Sequence, residues 1–188
     1  MKVTTILGSP RTEGNTAHVI EWIEDELTAK GHEVDRVNIS EVEIKGCRSC
    51  YSCRRNPKEP ACVIEDDAES VFKRMIAADA ILFSTPLYCW TYSSQLKALI
   101  DRCFSLVSGY QTEQWISLIE GKKTGLLVTC IGPIEGNADL IGPAFSRFTN
   151  WAKLDNAGEF IVPFCAYPDK IPSEYQEKAR DFAAKLSG

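Results

Sequence analysis

Short apolar runs alternate along the chain with longer stretches in which apolar residues recur every three or four positions. Val3 to Leu7 is a short apolar run, and from Thr16 to Lys30 the residues Val19, Ile20, Ile23 and Leu27 fall on one helical face before Gly31 stops it. Glu33 to Ile39 sets Val34 against Asp35 and Arg36, as a strand wetted on one side does. Asp66 and Asp67 head a helix through Met75 carrying Val71, Phe72, Met75 and Ile76, and Asp79 closes it before the apolar strand Ala80 to Ser84. The strongest helical pattern starts at Ser93 or Ser94 and places Leu96, Leu99, Ile100, Cys103, Phe104 and Val107 on one side, with Lys97 and Asp101 four apart on the other. Thr124 to Cys130 is a buried-strand pattern and Ala138 to Lys153 a helix interrupted near Gly142-Pro143. Glu159 to Phe164 is a fifth strand, and Ser173 to Leu186 a closing helix.

Strands alternating with helices predict an α/β chain with a parallel sheet covered on both faces. Strands one, three and four are apolar throughout, whereas strand two alternates and strand five contains Pro163, so two and five are the edges. That is the five-stranded order 2-1-3-4-5 of the flavodoxin-like, doubly wound three-layer fold, whose crevice opens at the carboxyl ends of strands one and three. The expectation is a single domain over residues 1–188, with a cysteine-rich insertion at about 46–63.

Composition narrows the function classes. With 188 residues, 44% hydrophobic and 25% charged, the chain can bury a full core of its own. A net charge of -5 argues against a general nucleic-acid binder. No apolar run has the length of a membrane span, and Met1-Lys2-Val3 leads into a strand without a signal peptide's apolar core, so a cytoplasmic protein with no membrane partner is expected.

The candidate chemistry sits in two loops. Leu7-Gly8-Ser9-Pro10-Arg11-Thr12-Glu13-Gly14-Asn15-Thr16 is small and polar and opens a helix. Asn15 or Thr16 is placed to cap that helix, its first-turn amides face the loop, and Arg11 adds a planar donor fork, a setting for a phosphate. No Gly-x-Gly-x-x-Gly or Gly-Lys-Ser/Thr is present there, which excludes the Rossmann fingerprint and the Walker loop. An ordinary strand-to-helix turn is the plainer alternative. The loop after strand three, Thr85-Pro86-Leu87-Tyr88-Cys89-Trp90-Thr91-Tyr92-Ser93, offers backbone amides for the polar edge of a flat ring and Leu87, Tyr88 and Trp90 for its face. A phosphate at one end and a ring at the other describe FMN. Gly132 to Asn137 also reaches the crevice rim, and the stretch between Ser108 and Gly121, with Tyr110 and Trp115, is either a lid over the flavin or a subunit contact.

Four of the eight cysteines form a second constellation: Cys47, Cys50 and Cys53 are separated by two residues each, and Cys62 follows after eight more that include Pro57 and Pro60. Soft thiolates so closely spaced suit an iron-sulfur cluster, and zinc, a redox disulfide and bare thiols are the alternatives. Arg48, Arg54 and Arg55 lie beside them. Cys103, Cys130 and Cys165 fall in core segments, Cys89 in the ring loop, and His18 and His32 in or beside the first helix with no catalytic arrangement.

Gly8-Ser9-Pro10-Arg11 with Gly14-Asn15-Thr16, then Thr85-Pro86-Leu87-Tyr88 and Ser94-Gln95-Leu96-Lys97-Ala98-Leu99-Ile100-Asp101-Arg102, resembles the NAD(P)H-dependent FMN reductase superfamily, and within it the iron-sulfur flavoprotein branch. The resemblance covers about the first two-thirds of the chain. It implies FMN held by Ser9, Arg11, Asn15 and Thr16 at the phosphate and by Pro86, Leu87, Tyr88, Cys89 and Trp90 at the isoalloxazine. It also implies a [4Fe-4S] cluster on Cys47, Cys50, Cys53 and Cys62, and a homodimer or homotetramer in which one subunit's cluster approaches another's FMN through aromatics such as Tyr92, Tyr110 or Trp115. Many relatives carry Gly where this chain has Trp90, which narrows access to the ring. The activity expected is an FMN-dependent oxidoreductase moving electrons from NAD(P)H or a protein donor to a small oxidant or a carrier protein. A non-enzymatic electron carrier and a cofactor-free thiol or metal-binding module are the alternatives.

Overall fold

The computed structural model describes residues 1–55 and 58–188, Arg55 by its backbone alone; Pro57 and the Arg55 side chain, named above, lie outside the described residues. In chain order the elements are β1 (Lys2–Leu7), α1 (Asn15–Ala29), β2 (Glu33–Asn38), α2 (Ala68–Ala77), β3 (Ala80–Pro86), α3 (Ser94–Arg102), β4 (Val107–Ser108) and β5 (Ile116–Ser117). They continue with β6 (Lys123–Thr129), α4 (Ile141–Trp151), β7 (Asp155–Val162) and α5 (Glu174–Ser187). The five long strands are parallel in the order β2-β1-β3-β6-β7, which is the flavodoxin-like arrangement; β4 and β5 make a small antiparallel hairpin.

Period-two alternation sends successive residues of the central strands into two separate cores. Ala80 and Leu82 of β3 pack with Val3 and Leu7 of β1 beneath α1 and α5, through Ile20, Ile23, Leu27, Phe182 and Leu186. Ile81 and Phe83 face the other way, with Ile6, Leu126 and Val128, onto Phe72 and Met75 of α2, Leu96 and Leu99 of α3 and Phe145 of α4. Because both faces are buried, β3 is apolar or small throughout, and the sheet's carboxyl edge is left as the place where loops meet solvent.

Four expectations change. β7 begins at Asp155, since its exposed edge lets Asp155 and Asn156 join the ladder without an apolar pattern, and Pro163 lies just past its end. α3 stops at Arg102, and Cys103–Leu106 tightens into a 3-10 turn that keeps Cys103 and Leu106 buried, so the helical pattern outlasts the helix. α4 starts at Ile141, with Gly142 and Pro143 inside its first turn, where a missing N–H costs no helical bond. The cap of α1 is Gly14, with no side-chain cap; Asn15 and Thr16 are used elsewhere.

Candidate functional site

At the carboxyl edge the loops are tied to one another from strand to strand. The Gly8 amide donates to Ser84 O at 2.8 Å, and a Cβ on Gly8 would stand 2.6 Å from that oxygen and 2.7 Å from Leu96 Cβ, so only glycine permits this approach. The Ser93 hydroxyl donates to Gly8 O and also accepts from Leu96 N at 3.2 Å, capping α3 while holding the first loop. The Leu87 amide donates to Thr129 O at 2.9 Å, and Cys130 N to Val162 O at 3.0 Å. β1, β3, β6 and β7 thus end in one connected rim.

Within the first loop, buried Ser9 accepts from the Arg11 amide at 3.1 Å, and Thr16 Oγ1 shares a 2.7 Å hydrogen bond with Thr129 Oγ1. Asn15 Nδ2 donates to Cys165 O at 2.7 Å, which leaves Asn15 Oδ1 buried without a partner. The Arg11 guanidinium folds back over Gly14, where a Cβ would lie 3.4 Å from Nε. Pro10 to Asn15 and Ala166 to Pro168 line a cavity of about 410 Å³. The first-turn amides of α1 lack helical partners and carry the positive end of its dipole.

The ring loop is a two-residue hairpin turn. Tyr88 N donates to Thr91 O and Thr91 N to Tyr88 O, each at 3.0 Å, and the two residues between them, Cys89 (φ +46°) and Trp90 (φ +63°), are left-handed. Trp90 is 59% exposed, Tyr88 and Cys89 are exposed, and Leu87 is half-buried against the core. A turn of this type favours glycine at its second position, so Trp90 stands where glycine is the relaxed residue. Tyr92 corrects an expectation. It is 6% exposed, sits in the core with a hydroxyl that has no partner among the described residues, and burial pushes that phenol far up, so it is not the exposed aromatic expected from the sequence.

The cysteine insertion occupies a different face. Cys47, Cys50, Cys53 and Cys62 line one cavity of about 320 Å³, whose wall includes Asp101 and Phe104 at the end of α3. Cys47 and Cys50 are exposed, Cys53 and Cys62 half-buried, and all four are free thiols. Hydrogen bonds from the Ser52 amide and hydroxyl, with the Arg48 charge, hold the Cys50 thiol below its ordinary value. Burial pushes Cys53 up against the Arg54 charge, aided by Cys62 and Cys50. The Arg54 guanidinium lies 3.6 Å above the Phe104 ring and donates to Val107 O, while Tyr51 meets that ring edge-on at 6.0 Å. Among the described residues no three Cys, His, Asp or Glu side chains are drawn together in a group that could hold a metal ion.

Beneath the cysteine loop Arg102 is 2% exposed and forks onto Asp66, Nη1 to Oδ2 at 2.8 Å and Nη2 to Oδ1 at 3.1 Å. α3 therefore reaches from Ser93 in the crevice to Arg102 under the cysteines, about 13 Å for nine residues. The β4–β5 hairpin docks on the end of α4, with Lys153 Nζ donating to Trp115 O at 2.8 Å, and none of its residues lines the first-loop cavity. Trp115 is half-buried against the core and Tyr110 exposed. His18 packs edge-on against Trp22, and His32 lies 3.4 Å from the N-terminal amine.

The sequence model of the NADPH-dependent FMN reductase family matches residues 1–139, which contain both crevice loops and the cysteine insertion. This chain belongs to the NADPH-dependent FMN reductase family. An iron-sulfur flavoprotein of Methanosarcina thermophila is 40% identical over 102 residues, 54% of this chain and 52% of that protein. Another, of Archaeoglobus fulgidus, is 28% identical over 187 residues, 100% of this chain and 79% of that protein. The chain spans about half the length of the first curated relatives it matches, 52% and 56%. The NAD(P)H:quinone oxidoreductase of Methanothermobacter marburgensis superimposes with a TM-score of 0.78 at 19% identity, over 100% of this chain and 96% of that one, and so shares the fold.

Several residues at the rim carry no sequence signal. Thr129, the Cys165 carbonyl and Tyr167 are found only by folding β6 and β7 beside the first loop. Exposed Ile131, Phe164 and Tyr167 lie on loops after these strands, and Phe164, at φ +59°, joins Cys89 and Trp90 as a left-handed non-glycine at the rim. Cys103, Cys130 and Cys165 are buried and pushed up, Cys165 to about 11, first by burial and then by Cys130, which fits inert thiols. No helix among the described residues is long and apolar enough to cross a membrane.

Proposed function

We propose that the chain is an FMN-dependent oxidoreductase that takes electrons from a reduced nicotinamide, NADH or NADPH, or from a protein donor, and passes them to a small oxidant or a carrier protein. The observation that carries this reading is the coincidence of the family match with a first loop in which Arg11 and the free first-turn amides of α1 border a cavity of about 410 Å³. The residues present fit FMN. Ser9, Arg11, Asn15, Thr16 and the first-turn amides of α1 supply donors and positive charge for a terminal phosphate. Pro86 to Trp90 supply the ring end, where the amides of a fixed hairpin turn orient a flat polar edge, and Leu87, Tyr88 and Trp90 exclude water from its face. When bound, FMN supplies hydride acceptance at N5 and onward electron transfer, so no side chain is assigned an acid-base role.

A second cofactor, a [4Fe-4S] cluster on Cys47, Cys50, Cys53 and Cys62, belongs to the same proposal. The chemistry of the donor set fits, four thiols that line one cavity without being drawn to ligand distance among the described residues, with Arg54 beside them and the Ser49 amide donating to Cys47 Sγ at 3.4 Å. The names of the iron-sulfur flavoproteins support it. Self-association as a dimer or tetramer completes the reading, with the exposed apolar rim of Tyr88, Trp90, Ile131, Phe164 and Tyr167 as the surface to be covered.

The test is the visible spectrum of protein purified without oxygen, with mass spectrometry of the released cofactor. FMN as the dominant species, bleached rapidly by NADH or NADPH alone, is the expected result. Bleaching only by reduced ferredoxin makes the protein an electron carrier; a colourless protein or bound FAD overturns the reading.

A further inference from the structure

The cysteine insertion leaves the body of the fold at Lys45 and returns at Asp66, and those two residues meet. The Lys45 amide donates to Asp66 Oδ2 at 2.8 Å and Lys45 Nζ to Glu65 O at 3.3 Å, across a separation of about twenty residues. One step further out, Glu43 N donates to Asp67 Oδ2 at 2.8 Å and Asp67 N to Glu43 O at 3.0 Å. Arg102 grips both sides of this stem. Its Nη1 donates to Lys45 O at 3.0 Å and to Asp66 Oδ2, its Nη2 to Asp66 Oδ1, and its buried Nε has no hydrogen-bond partner among the described residues. Both charged side chains are out of solvent, 1% exposed for Arg102 and 0% for Asp66.

We propose that Arg102 is the positioning residue of the cysteine cavity: by clamping Lys45 and Asp66 together from the end of α3, it closes the stem of the insertion and presents Cys62 to Cys47, Cys50 and Cys53. The reason lies in loop closure. A loop of this length with an open stem spreads its thiols over many arrangements, while a closed stem raises their effective concentration toward one another. Cys62 is three residues from Glu65 on the returning arm and lies next to the clamp. Arg102 and Ser93 belong to the same helix, so the clamp also fixes the cavity relative to the flavin crevice. Lysine cannot replace the clamp in full, because one ammonium cannot reproduce a planar fork that meets both Asp66 oxygens and the Lys45 carbonyl.

The consequence for a cofactor rests on the four-thiol reading above, but the test does not need one. Phenylarsine oxide bridges two nearby thiols, forming two As–S bonds and releasing one water. It is applied to FMN-loaded, metal-free protein, and the bridged peptides are mapped by mass spectrometry. The variants are R102Q/D66N, which removes the fork and both buried charges while keeping polar groups at both positions, and R102K. In wild type Cys62 is expected to bridge to one of the other three thiols. In R102Q/D66N that bridging slows about tenfold or more, while Cys47–Cys50 bridging and bound FMN persist, and R102K recovers part of the rate. Unchanged Cys62 bridging in the double variant overturns the proposal, as does R102K no better than the double variant. Loss of FMN and of Cys47–Cys50 bridging together overturns it too, since Arg102 would then support the fold at large. Anaerobic iron loading separates this from the cofactor: wild type that takes up no iron, while Cys62 bridging still depends on Arg102, sinks the cluster and upholds the clamp.

Discussion

Around the crevice each strand end is tied to its neighbour by main-chain hydrogen bonds and small buried hydroxyls, whereas the stem of the cysteine insertion is organised around the buried Arg102–Asp66 pair, with the Lys45–Asp66 and Glu43–Asp67 hydrogen bonds beside it and contacts to Phe104 farther out. The crevice distributes its support over Gly8, Ser84, Ser93, Thr129 and Val162, so losing one contact leaves the others. The insertion concentrates its support in Arg102 and Asp66. Distributed support suits a crevice proposed to take a large flat ligand, and concentrated support suits a loop proposed to gather four thiols. The two kinds of site should therefore fail differently.

The largest effect is expected from breaking the clamp on one side only. Arg102→Gln leaves the Asp66 carboxylate buried and unpaired, at a cost of ~3–5 kcal/mol in urea unfolding. Arg102→Gln paired with Asp66→Asn removes both charges and should cost far less. The pH dependence follows from the same pair. Burial pushes the Asp66 carboxyl up, but hydrogen bonds from Arg102, Lys45 N and Ala68 N and the Arg102 charge together hold it below its ordinary range. A depressed carboxylate stabilises the fold fully above the unfolded value of about 4, and that stability is lost as pH falls through the folded value. Part of the acid destabilisation of wild type should thus disappear in Asp66→Asn.

In the crevice, Arg11→Ala should weaken FMN by ~1.5–3 kcal/mol, the range of a hydrogen bond to a charged group, with little change in unfolding of the FMN-free protein because Arg11 is exposed. Equal FMN affinity by fluorescence titration would mean that Arg11 points to solvent. Ser93→Ala removes a helix cap and the donor to Gly8 O together, so ~1–2 kcal/mol of stability should go, and FMN should weaken as the first loop loosens. Stability lost without any change in FMN affinity would separate the cap from the loop.

Much of this arrangement was legible beforehand. Apolar periodicity and strand polarity gave the sheet order, because an edge strand such as β2 is wetted and a central one such as β3 is not. The two loops were visible as breaks in that periodicity. What escaped was tertiary. Asn15 looked like a cap but reaches Cys165 O, a partner 150 residues away that no local spacing announces. Tyr92 looked like surface because it follows an exposed turn, yet it is the first residue to dive back into the core. Arg102 sat in a motif next to Asp101, and only its burial against Asp66 distinguishes it from a solvated charge at a helix end.

The smallest effect concerns backbone strain, which both sites contain. Trp90 (φ +63°) in the ring loop and Tyr51 (φ +57°) in the cysteine loop are left-handed without being glycine. Holding an L-residue there costs roughly 1–2 kcal/mol, and replacing it with glycine returns about 0.5–1 kcal/mol of unfolded-chain entropy against the gain. Trp90→Gly should therefore stabilise the FMN-free protein by about 0.5–1 kcal/mol, since no ring contact of Trp90 is found among the described residues and its side chain is mostly solvated. Tyr51→Gly gains the same relief but gives up the edge-on contact with Phe104, worth about 0.5–1.5 kcal/mol, and should come out near zero. Thermal unfolding of the two variants side by side checks this. A destabilised Trp90→Gly would mean that the indole is held by the fold itself and not kept for the ring, whereas a stabilised one whose substrate range has broadened would identify Trp90 as a residue maintained against its own backbone for the sake of the crevice.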